Sequence, residues 1–350
     1  MNITLLAPCK DLSGGIKVIA TYGNKLLERG HQVTVIYPRK PLNSLRALKR
    51  EAIRRLRREK DHLDRFNGRL LAVDRMDEAH IPDGDIVIAT AWETAEWANE
   101  LSPAKGRKFY LIQGHEVWNA PRERVHATLR MPFHKITISS WLKDLVDEIA
   151  DDDSTVLVHN GRDIILDEDQ VMQTERPYDV GMVYSPIPNK GSDLGLSALW
   201  DLYRSNPELR FILFGTEAPN KALPPTAEFH LKPAPEKIRR LYLETRIWLS
   251  TSYEEGFCLP CLEAISSGAV LVSTDNKGVR DIITAGSSGY ITEPGNAKEL
   301  AARAHMLLND PEQQQRMRRA ALEQSAGFDW DRSTDMLEQL FSETAVRKAA

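Results

Sequence analysis

Short apolar runs alternate along the chain with stretches in which apolar residues recur at helical spacing. A first series of buried strands is predicted at 3–7, 32–37, 69–73, 85–90, 107–113, 135–139 and 155–159. A second series is predicted at 179–184, 210–215, 227–231, 246–250 and 269–273. Strands that alternate with helices form parallel sheets covered by helices on both faces. The pattern therefore predicts an α/β chain with two doubly wound domains.

The border between the two domains is predicted in the polar segment 160–178, which contains an Asn-Gly pair and a proline. We place the first domain at 1–165 and the second at 166–329. After residue 296 the pattern is helical to the end of the chain. One helix is predicted to start at Pro311, and Trp330 introduces a last helix at about 330–350.

Composition excludes several classes of protein. The 350 residues are 42% hydrophobic and 27% charged, as in ordinary soluble globular proteins, and 350 residues suffice for two domains. The net charge of -4 gives no overall attraction to nucleic acid. Three cysteines are too few for a disulfide framework and do not support a structural zinc site. The sequence shows no secretory signal and no apolar run of 18 residues, so we expect a cytoplasmic, reducing location.

The segment 46–58 differs from the rest of the chain in charge. It contains seven Lys or Arg residues and one acid, Glu51, while leucine and isoleucine recur at roughly helical spacing. A basic amphipathic helix at about 42–66 is therefore predicted. Such a helix can lie on an anionic membrane surface, or it can be solvated and pack one apolar stripe on its own domain. The sequence leaves both interpretations open.

The stretch Y-E-E-G-F-C-L-P-C-L-E-A-I-S-S-G at 253–268 carries two signals. Cys258 and Cys261 have the C-x-x-C spacing of a redox dithiol, which needs an exposed cysteine at a helix N-terminus. Thioredoxin-like folds, however, carry this motif near the start of a small domain. Here it lies late in a second doubly wound domain, so the redox interpretation is weak.

Glu255 and Glu263 form the second signal, an E-x7-E pair. We predict that Glu255 lies in a loop after a strand and Glu263 on the helix that follows, at the edge of the sheet where such folds bind ligands. The N–H groups of Phe257, Cys258 and Leu259 at the start of that helix suit an anion such as a diphosphate. The alternative role for Glu263 is to complement the helix dipole, and spacing alone does not separate these roles.

The stretch at 253–268 resembles the E-x7-E signature of retaining glycosyltransferase family 4. The usual form of that signature is E-G-F-G-L-P-x-L-E-A-x-A-x-G. Cys258 stands at the second glycine of that pattern. The resemblance implies the GT-B fold, with two Rossmann-like domains facing each other across a cleft. It also implies that the last helix, at about 330–350, packs back on the first domain. The proline-containing segment V-G-M-V-Y-S-P-I-P-N-K-G, at 180–191, resembles the branch that acts on bacterial surface polysaccharides, including rhamnosyl- and mannosyltransferase-like members.

Other matches to the family occur in the expected order. The N-terminal domain resembles it at the Gly14-Gly15 pair, whose alternative role is a tight turn into a helix. His115 corresponds to the family's strand-end histidine beside the donor sugar, although an isolated histidine is often structural. The segment V-H-N-G-R-D resembles the crossing between domains, and Gly215 ends a strand of the second domain.

The sequence departs from the family at one further motif. The family usually has V-G-R-L-x-x-x-K-G, whereas this sequence has V-G-M-V-Y-S-P-I-P-N-K-G. Lys190 matches the lysine, and we assign Met182 to the position of the arginine. What replaces that arginine is not apparent from the sequence. The resemblance implies that Glu255, His115 and Lys190 are catalytic. The implied donor-binding residues are Gly14, Gly15, Gly215, Gly256, Phe257, Cys258, Leu259 and Glu263.

Three D-x-D matches, at 151–153, 167–169 and 329–331, are of a type that metal-dependent sugar transferases use. None follows an apolar strand, so we interpret them as structural and expect no metal cofactor. The implied reaction transfers a sugar from a nucleotide diphospho-sugar to a glycan or lipid-linked acceptor, with retained configuration. The alternatives are a nucleotide-sugar epimerase or a sugar binder. An NAD-dependent oxidoreductase is less well supported, because G-x-G-x-x-G is missing. The sequence does not indicate the sugar, the nucleotide, the acceptor or the oligomeric state.

Overall fold

The computed structural model describes residues 1–39 and 60–346. Within them the chain divides into two compact units. The first contains the described part of Met1–Asn160 together with the helix that starts at Trp330, and the second is Gly161–Asp329. The division after Asn160 lies five residues before the border that we placed at 165.

The first unit is built on a parallel sheet with the strand order β3-β2-β1-β4-β5-β6-β7. Its strands are β1 (Asn2–Leu6), β2 (Gln32–Pro38), β3 (Arg69–Val73), β4 (Ile86–Ala89), β5 (Arg107–Ile112), β6 (His134–Thr137) and β7 (Val156–Leu157). Its helices before the border are α1 (Gly14–Glu28), α2 (Trp92–Glu100), α3 (Arg122–Leu129) and α4 (Ser140–Ala150). All four residues of β4 are buried, which explains its uninterrupted apolar run.

The second unit has a parallel sheet with the order β10-β9-β8-β11-β12-β13. Its strands are β8 (Tyr178–Tyr184), β9 (Phe211–Gly215), β10 (Ala227–Leu231), β11 (Thr245–Ser250), β12 (Val270–Thr274) and β13 (Gly289–Thr292). Its helices are α5 (Glu168–Gln173), α6 (Ser192–Ser205), α7 (Pro235–Leu243), α8 (Leu259–Ser266), α9 (Ala297–Leu308) and α10 (Pro311–Ser325). Strands β8, β11 and β12 lie side by side at the centre of the sheet, so the loops after them share one edge.

The last described helix, α11 (Trp330–Val346), packs on the first unit. The ring of Trp330 meets Tyr22 edge to face at 5.2 Å, and the ring of Phe341 meets Phe109 at 4.9 Å. On the polar side Arg29 bonds Asp335 at 2.7 Å. These contacts join the end of the chain to α1 and β5 in the first unit.

The predicted α/β fold with two parallel-sheet domains is confirmed, and each predicted strand is present within a residue or two of its expected ends. Strand β13 was not predicted, because its four residues, G-Y-I-T, are too few to show a pattern. The predicted basic helix at about 42–66 lies mostly outside the described residues. Its described end differs from the expectation, since His62–Arg65 is a short 3-10 helix with Leu63 buried.

Candidate functional site

Three neighbouring loops of the second unit are joined by hydrogen bonds at the carboxyl edge of the sheet. Asn189, in the loop after β8, donates from its amide to the carbonyl of Glu254 at 3.0 Å, and its own carbonyl accepts from Tyr253 at 2.9 Å. The backbone N–H of Glu255 donates to the carbonyl of Asn276, after β12, at 2.9 Å. The loops after β8, β11 and β12 therefore form one continuous polar surface, which we call the loop rim.

Glu255 and Lys190 form an ion pair in this loop rim. The lysine Nζ lies 2.7 Å from Oε1 and 2.9 Å from Oε2 of the glutamate, and Ser252 donates from its hydroxyl to Oε1 at 2.6 Å. The glutamate side chain is 15% exposed, whereas the lysine side chain is 39% exposed. The carboxylate is thus held by two donors, while the ammonium keeps access to solvent.

Helix α8 begins directly after Glu255, Gly256 and Phe257. Its N-cap is Cys258, which has a left-handed backbone with φ of 74°, and Pro260 lies in its first turn. The backbone N–H groups of Cys258 and Leu259 have no acceptor among the described residues. Unsatisfied N–H groups at a helix start attract anions. The positive φ of Cys258 explains why the family pattern has glycine at this position.

The structure pairs Cys258 and Cys261 in a disulfide, although the sequence gave the redox dithiol only weak support and implicated Cys258 through its backbone N–H. The side chains are 5% and 0% exposed, so the sulfur atoms are shielded from solvent. The covalent link joins the N-cap of α8 to its first turn. It therefore fixes the backbone whose N–H groups point out of the helix start.

Phe257 and Glu263 lie on either side of the start of α8. The ring of Phe257 is buried and packs against Phe328 with 5.6 Å between ring centres. Glu263 faces Tyr242 at the end of α7, and burial, followed by the charge of Glu263, raises the pKa of Tyr242 well above its usual value. The structure thus brings Glu255, Lys190, Glu263 and the start of α8 into one region of the second unit.

Gly278, in the segment after β12, packs closely against the backbone of the loop after β11. A Cβ added there would lie 2.8 Å from the carbonyl carbon of Phe257 and 2.9 Å from the carbonyl oxygen of Glu255. Both contacts involve backbone, which cannot rotate away as a side-chain end can. Close approach between the loops after β11 and β12 therefore requires glycine at this position.

Gly215 and Met182 have roles inside the sheet. Gly215 ends β9, where an added Cβ would lie 2.3 Å from the carbonyl oxygen of Tyr184, so glycine permits close approach to β8. Met182 lies within β8 with no exposure, and its side chain packs over Gly195. The assignment of Met182 to the family's arginine is therefore wrong. Ser185, the first residue after β8, lies five residues before Lys190, which is the arginine-to-lysine spacing of V-G-R-L-x-x-x-K-G.

The other predicted residues lie in the first unit. Gly14 and Gly15 begin α1, and an added Cβ at Gly15 would make only ordinary contact with the side chain of Gln113. His115 follows β5, and its Nε2 lies 3.0 Å from Nε2 of His126, with the two rings stacked 5.2 Å apart. No local sequence signal marks His126, because its position on α3 next to His115 depends on tertiary structure.

Glu116, next to His115, is a partly buried acid that sequence reasoning missed. Its carboxylate accepts a hydrogen bond from the backbone N–H of Trp92 at 2.9 Å. Burial, with a smaller contribution from the charge of the nearby Glu93, raises the pKa of Glu116 to about 7. The carboxyl group is therefore poised to exchange a proton near neutral pH. Only the acid's position beside the strand-end histidine could have drawn attention to it.

The D-x-D segments lie at helix ends. Asp151 ends α4, Asp167 caps α5 by accepting from the N–H of Gln170 at 3.2 Å, and Asp331 pairs with Lys25 at 3.1 Å. Residues 1–39 and 60–346 contain no group of three or more His, Cys, Asp or Glu side chains that could hold a metal ion. Among the described helices, none combines the length and apolar character needed to cross a lipid bilayer.

Comparison with known proteins finds relatives among sugar transferases. Residues 166–324 match the family described as Glycosyl transferases group 1, which covers nearly all of the second unit. The chain is 28% identical over 116 residues to D-inositol 3-phosphate glycosyltransferase of Corynebacterium diphtheriae. That match covers 33% of this chain and 27% of the relative, so the matched part is about a quarter of the relative's length.

Comparison with solved structures covers the whole chain. Sucrose-phosphate synthase of Thermosynechococcus elongatus aligns with a TM-score of 0.75 and 13% identity, over 99% of this chain and 100% of the other. HepE of Anabaena, solved in complex with UDP, aligns with a TM-score of 0.76 and 15% identity, over 98% and 100%. At these identities the likeness establishes the fold alone, and the GT-B prediction is confirmed.

Proposed function

We propose that this chain is a glycosyltransferase that moves a sugar from a nucleotide diphospho-sugar to an acceptor hydroxyl. The observation that carries the proposal is the loop rim. It combines the Lys190–Glu255 ion pair with the start of α8, inside the segment that matches Glycosyl transferases group 1. The GT-B fold and the UDP complex of the structural relative HepE support a nucleotide-sugar donor.

The diphosphate of the donor is proposed to bind at the start of α8. The free N–H groups of Cys258 and Leu259 supply hydrogen bonds, and Lys190 supplies a positive charge with access to solvent. As the bond to the sugar breaks, negative charge accumulates on the leaving diphosphate. Donors fixed before the reaction stabilise that charge, and each such group typically lowers the barrier by about 2.7 to 4 kcal/mol.

The two carboxylates are proposed to bind the hydroxyl groups of the donor. Glu255, held by Ser252 and Lys190, would accept hydrogen bonds from the transferred sugar. Glu263, one turn into α8, would accept hydrogen bonds from the ribose hydroxyls. His115 is proposed as a catalytic residue on its resemblance to the family's strand-end histidine. We assign no residue as a covalent nucleophile, and we propose that the configuration at the sugar carbon is retained.

The reaction is proposed to need no metal ion. In metal-dependent transferases a divalent cation neutralises the diphosphate, whereas here Lys190 and the start of α8 would do so. The acceptor is proposed to be a glycan or lipid-linked glycan of bacterial polysaccharide or glycolipid assembly. We propose that this assembly step takes place in the cytoplasm. Contact of the 42–66 segment with the inner membrane face remains a hypothesis from charge alone.

The test is a donor panel assayed for nucleoside diphosphate release with UDP-, GDP- and dTDP-sugars, with and without lipid-linked glycan acceptors. The proposal expects release to rise strongly when an acceptor is added, and nuclear magnetic resonance of the product to show the donor's anomeric configuration. Conversion of the donor to an isomeric sugar without any acceptor would instead identify an epimerase. Product of inverted configuration would overturn the retaining mechanism.

A further inference from the structure

A cavity of about 390 Å³ lies at the edge of the second sheet opposite the loop rim. It is formed before the start of β8 and β11 and along the first turns of α10. Its polar lining consists of Arg176, Arg246, Arg318, Thr174, Gln314 and Gln315. Three guanidinium groups thus line one cavity, and no acidic side chain is among the residues that line it.

Arg176 is held in place by backbone carbonyls. Its guanidinium donates to the carbonyls of Thr245 at 2.8 Å, Ser267 at 2.9 Å and Val171 at 3.2 Å. Its Nε is buried and has no hydrogen-bond partner among the described residues. A buried donor without an acceptor is costly, and this N–H group adds to the uncompensated positive charge of the buried Arg176.

Arg318 lies over the same backbone. Its Nε donates to the carbonyl of Gly268 at 2.8 Å, and its two terminal nitrogens have no acceptor in the described part of the chain. A Cβ added at Gly268 would lie 2.7 Å from Nη2 of Arg176 and 3.4 Å from Cδ of Arg318. Both arginines therefore lie against Gly268, just past the C-terminal end of α8.

The charges around this cavity are unbalanced. Arg246 pairs with Asp179 at 2.7 Å, but the described residues offer neither Arg176 nor Arg318 an ion pair. Burial, with a further contribution from the charge of Arg318, lowers the pKa of Arg176 to about 9. Burial and the charge of Arg246 also lower the pKa of Arg318. Both groups stay protonated at neutral pH, so two uncompensated positive charges share the cavity.

A purely structural role for Arg176 and Arg318 would be to cap the C-terminal end of α8, since cations bind the carbonyls at a helix C-terminus. Capping uses one nitrogen of each arginine, at Ser267 and Gly268. It accounts neither for a second buried cation beside the first nor for the donors left over. Guanidinium groups with several donors in a fixed plane are suited to oxyanions such as phosphate.

We propose that this arginine cavity binds a phosphate group, carried by inorganic phosphate or by a small phosphate monoester. Arg176 and Arg318 bind the oxygens, and Arg246 and the glutamines surround them. The volume leaves room for an organic group attached to the phosphate. The cavity lies at the C-terminal end of α8, whereas the proposed donor site lies at the N-terminal end of the same helix. The proposal therefore does not depend on the donor assignment.

The test is calorimetric titration of the full chain with inorganic phosphate and with glycerol 3-phosphate, against chloride at matched ionic strength. Arg318→Met is expected to weaken phosphate binding at least tenfold. Arg319→Met, an exposed arginine on the same helix, is the matched control and should bind as the wild type does. Lys190→Ala should also bind normally, because it alters only the proposed donor site. Tighter binding of glycerol 3-phosphate than of phosphate would indicate a monoester ligand, and equal binding would indicate phosphate itself.

A second variant guards against misfolding of Arg318→Met. Gln315→Glu changes an exposed side chain at the cavity and places a carboxylate next to the arginines, so it should abolish phosphate binding while the protein still melts cooperatively. Unchanged phosphate binding in both variants would overturn the proposal. So would phosphate binding that is lost in Lys190→Ala, or a wild-type protein that binds phosphate no better than chloride.

Discussion

Glu255 is the residue on which the proposed chemistry depends most. Its carboxylate contacts Lys190 and Ser252, so replacing one oxygen by an amide removes the charge and keeps the shape. We expect Glu255→Gln to lower turnover by about 100-fold or more, in the range found when one stabilising group is removed. Initial rates with the identified donor measure this effect.

The matched control is Glu323→Gln, which changes an exposed carboxylate on α10 of the same unit. Both variants should melt within a few degrees of the wild type, because neither change leaves a cavity. Near-normal turnover of Glu255→Gln would remove this residue from the site.

The raised pKa of Glu116 predicts how the free energy of unfolding depends on pH. Because burial raises the pKa of Glu116 in the folded protein from its usual 4.5 to about 7, the folded protein holds this proton between those two pH values, whereas the unfolded chain has lost it. The free energy of unfolding should therefore fall as pH rises from about 4.5 to about 7, by up to about 3 kcal/mol, and then level off.

Glu116→Gln tests this dependence. The amide is neutral at every pH and can still accept the hydrogen bond from the N–H of Trp92. Urea unfolding at pH 5, 6, 7 and 8 should show a smaller fall in stability for the variant and a higher stability than wild type above pH 7. Equal pH dependence in the two proteins would show that Glu116 is ionised in the fold.

At the scale of elements, the loops that form the rim depend on close backbone packing at Gly278. Gly278→Ala would place a methyl group against the backbone of Phe257 and Glu255. We expect the free energy of unfolding of the second unit to fall by about 1–3 kcal/mol and donor affinity to fall with it. Denaturant unfolding and donor titration measure the two effects.

Gly327→Ala is the control for this change, since an added Cβ there would come no closer than 3.4 Å to its nearest neighbour, the carbonyl oxygen of Gln324. It should stay within about 0.5 kcal/mol of the wild type. Wild-type stability of Gly278→Ala would mean that the two loops do not pack as described.

Helix α11 is predicted to stabilise the first unit. Phe341 has no exposed surface and packs against Phe109 of β5. Phe341→Ala should therefore lower the free energy of unfolding by about 3–5 kcal/mol. Met336→Ala, a change at a side chain that is 36% exposed on the same helix, should cost much less. Equal effects in urea unfolding would indicate that α11 does not stabilise this unit.

The elements of the fold were predictable wherever the local pattern was strong. Strands such as β4 and β12 are buried throughout, so their apolar runs mark them without tertiary information. Strand β13 was missed because four residues at the edge of a sheet carry no distinctive period. Met182 was misassigned although the predicted strand already ended at residue 184, as β8 does. The match aligned V-G-M with the family's V-G-R and did not count five residues back from Lys190.

The site was predictable only as far as motifs extend along the chain. Glu255 and Glu263 belong to one continuous stretch, and Lys190 was found by its place in a known pattern. The contact of Lys190 with Glu255 spans 65 residues of sequence, and the stacking of His115 on His126 depends on the placement of α3. Long-range contacts of this kind leave no local signal. The arginine cavity likewise combines residues from three separate segments.

At the scale of the whole molecule, we propose above all that the second unit binds a nucleotide sugar without a metal ion. The most direct test of this proposal is a melting experiment on the full chain with UDP-, GDP- and dTDP-sugars and NAD(P)H, each with and without excess chelator. A ligand at about 100 times its dissociation constant stabilises the protein by about 2.7 kcal/mol, which raises the melting temperature by several degrees.

We expect one nucleotide sugar to raise the melting temperature and chelator to leave that rise unchanged. The rise should be lost in Lys190→Ala and kept in Lys298→Ala, an exposed lysine on α9. A rise that chelator abolishes and Mn²⁺ restores would contradict the metal-free site. A rise in melting temperature with NAD(P)H alone, or no rise with any nucleotide sugar, would contradict the proposed function itself.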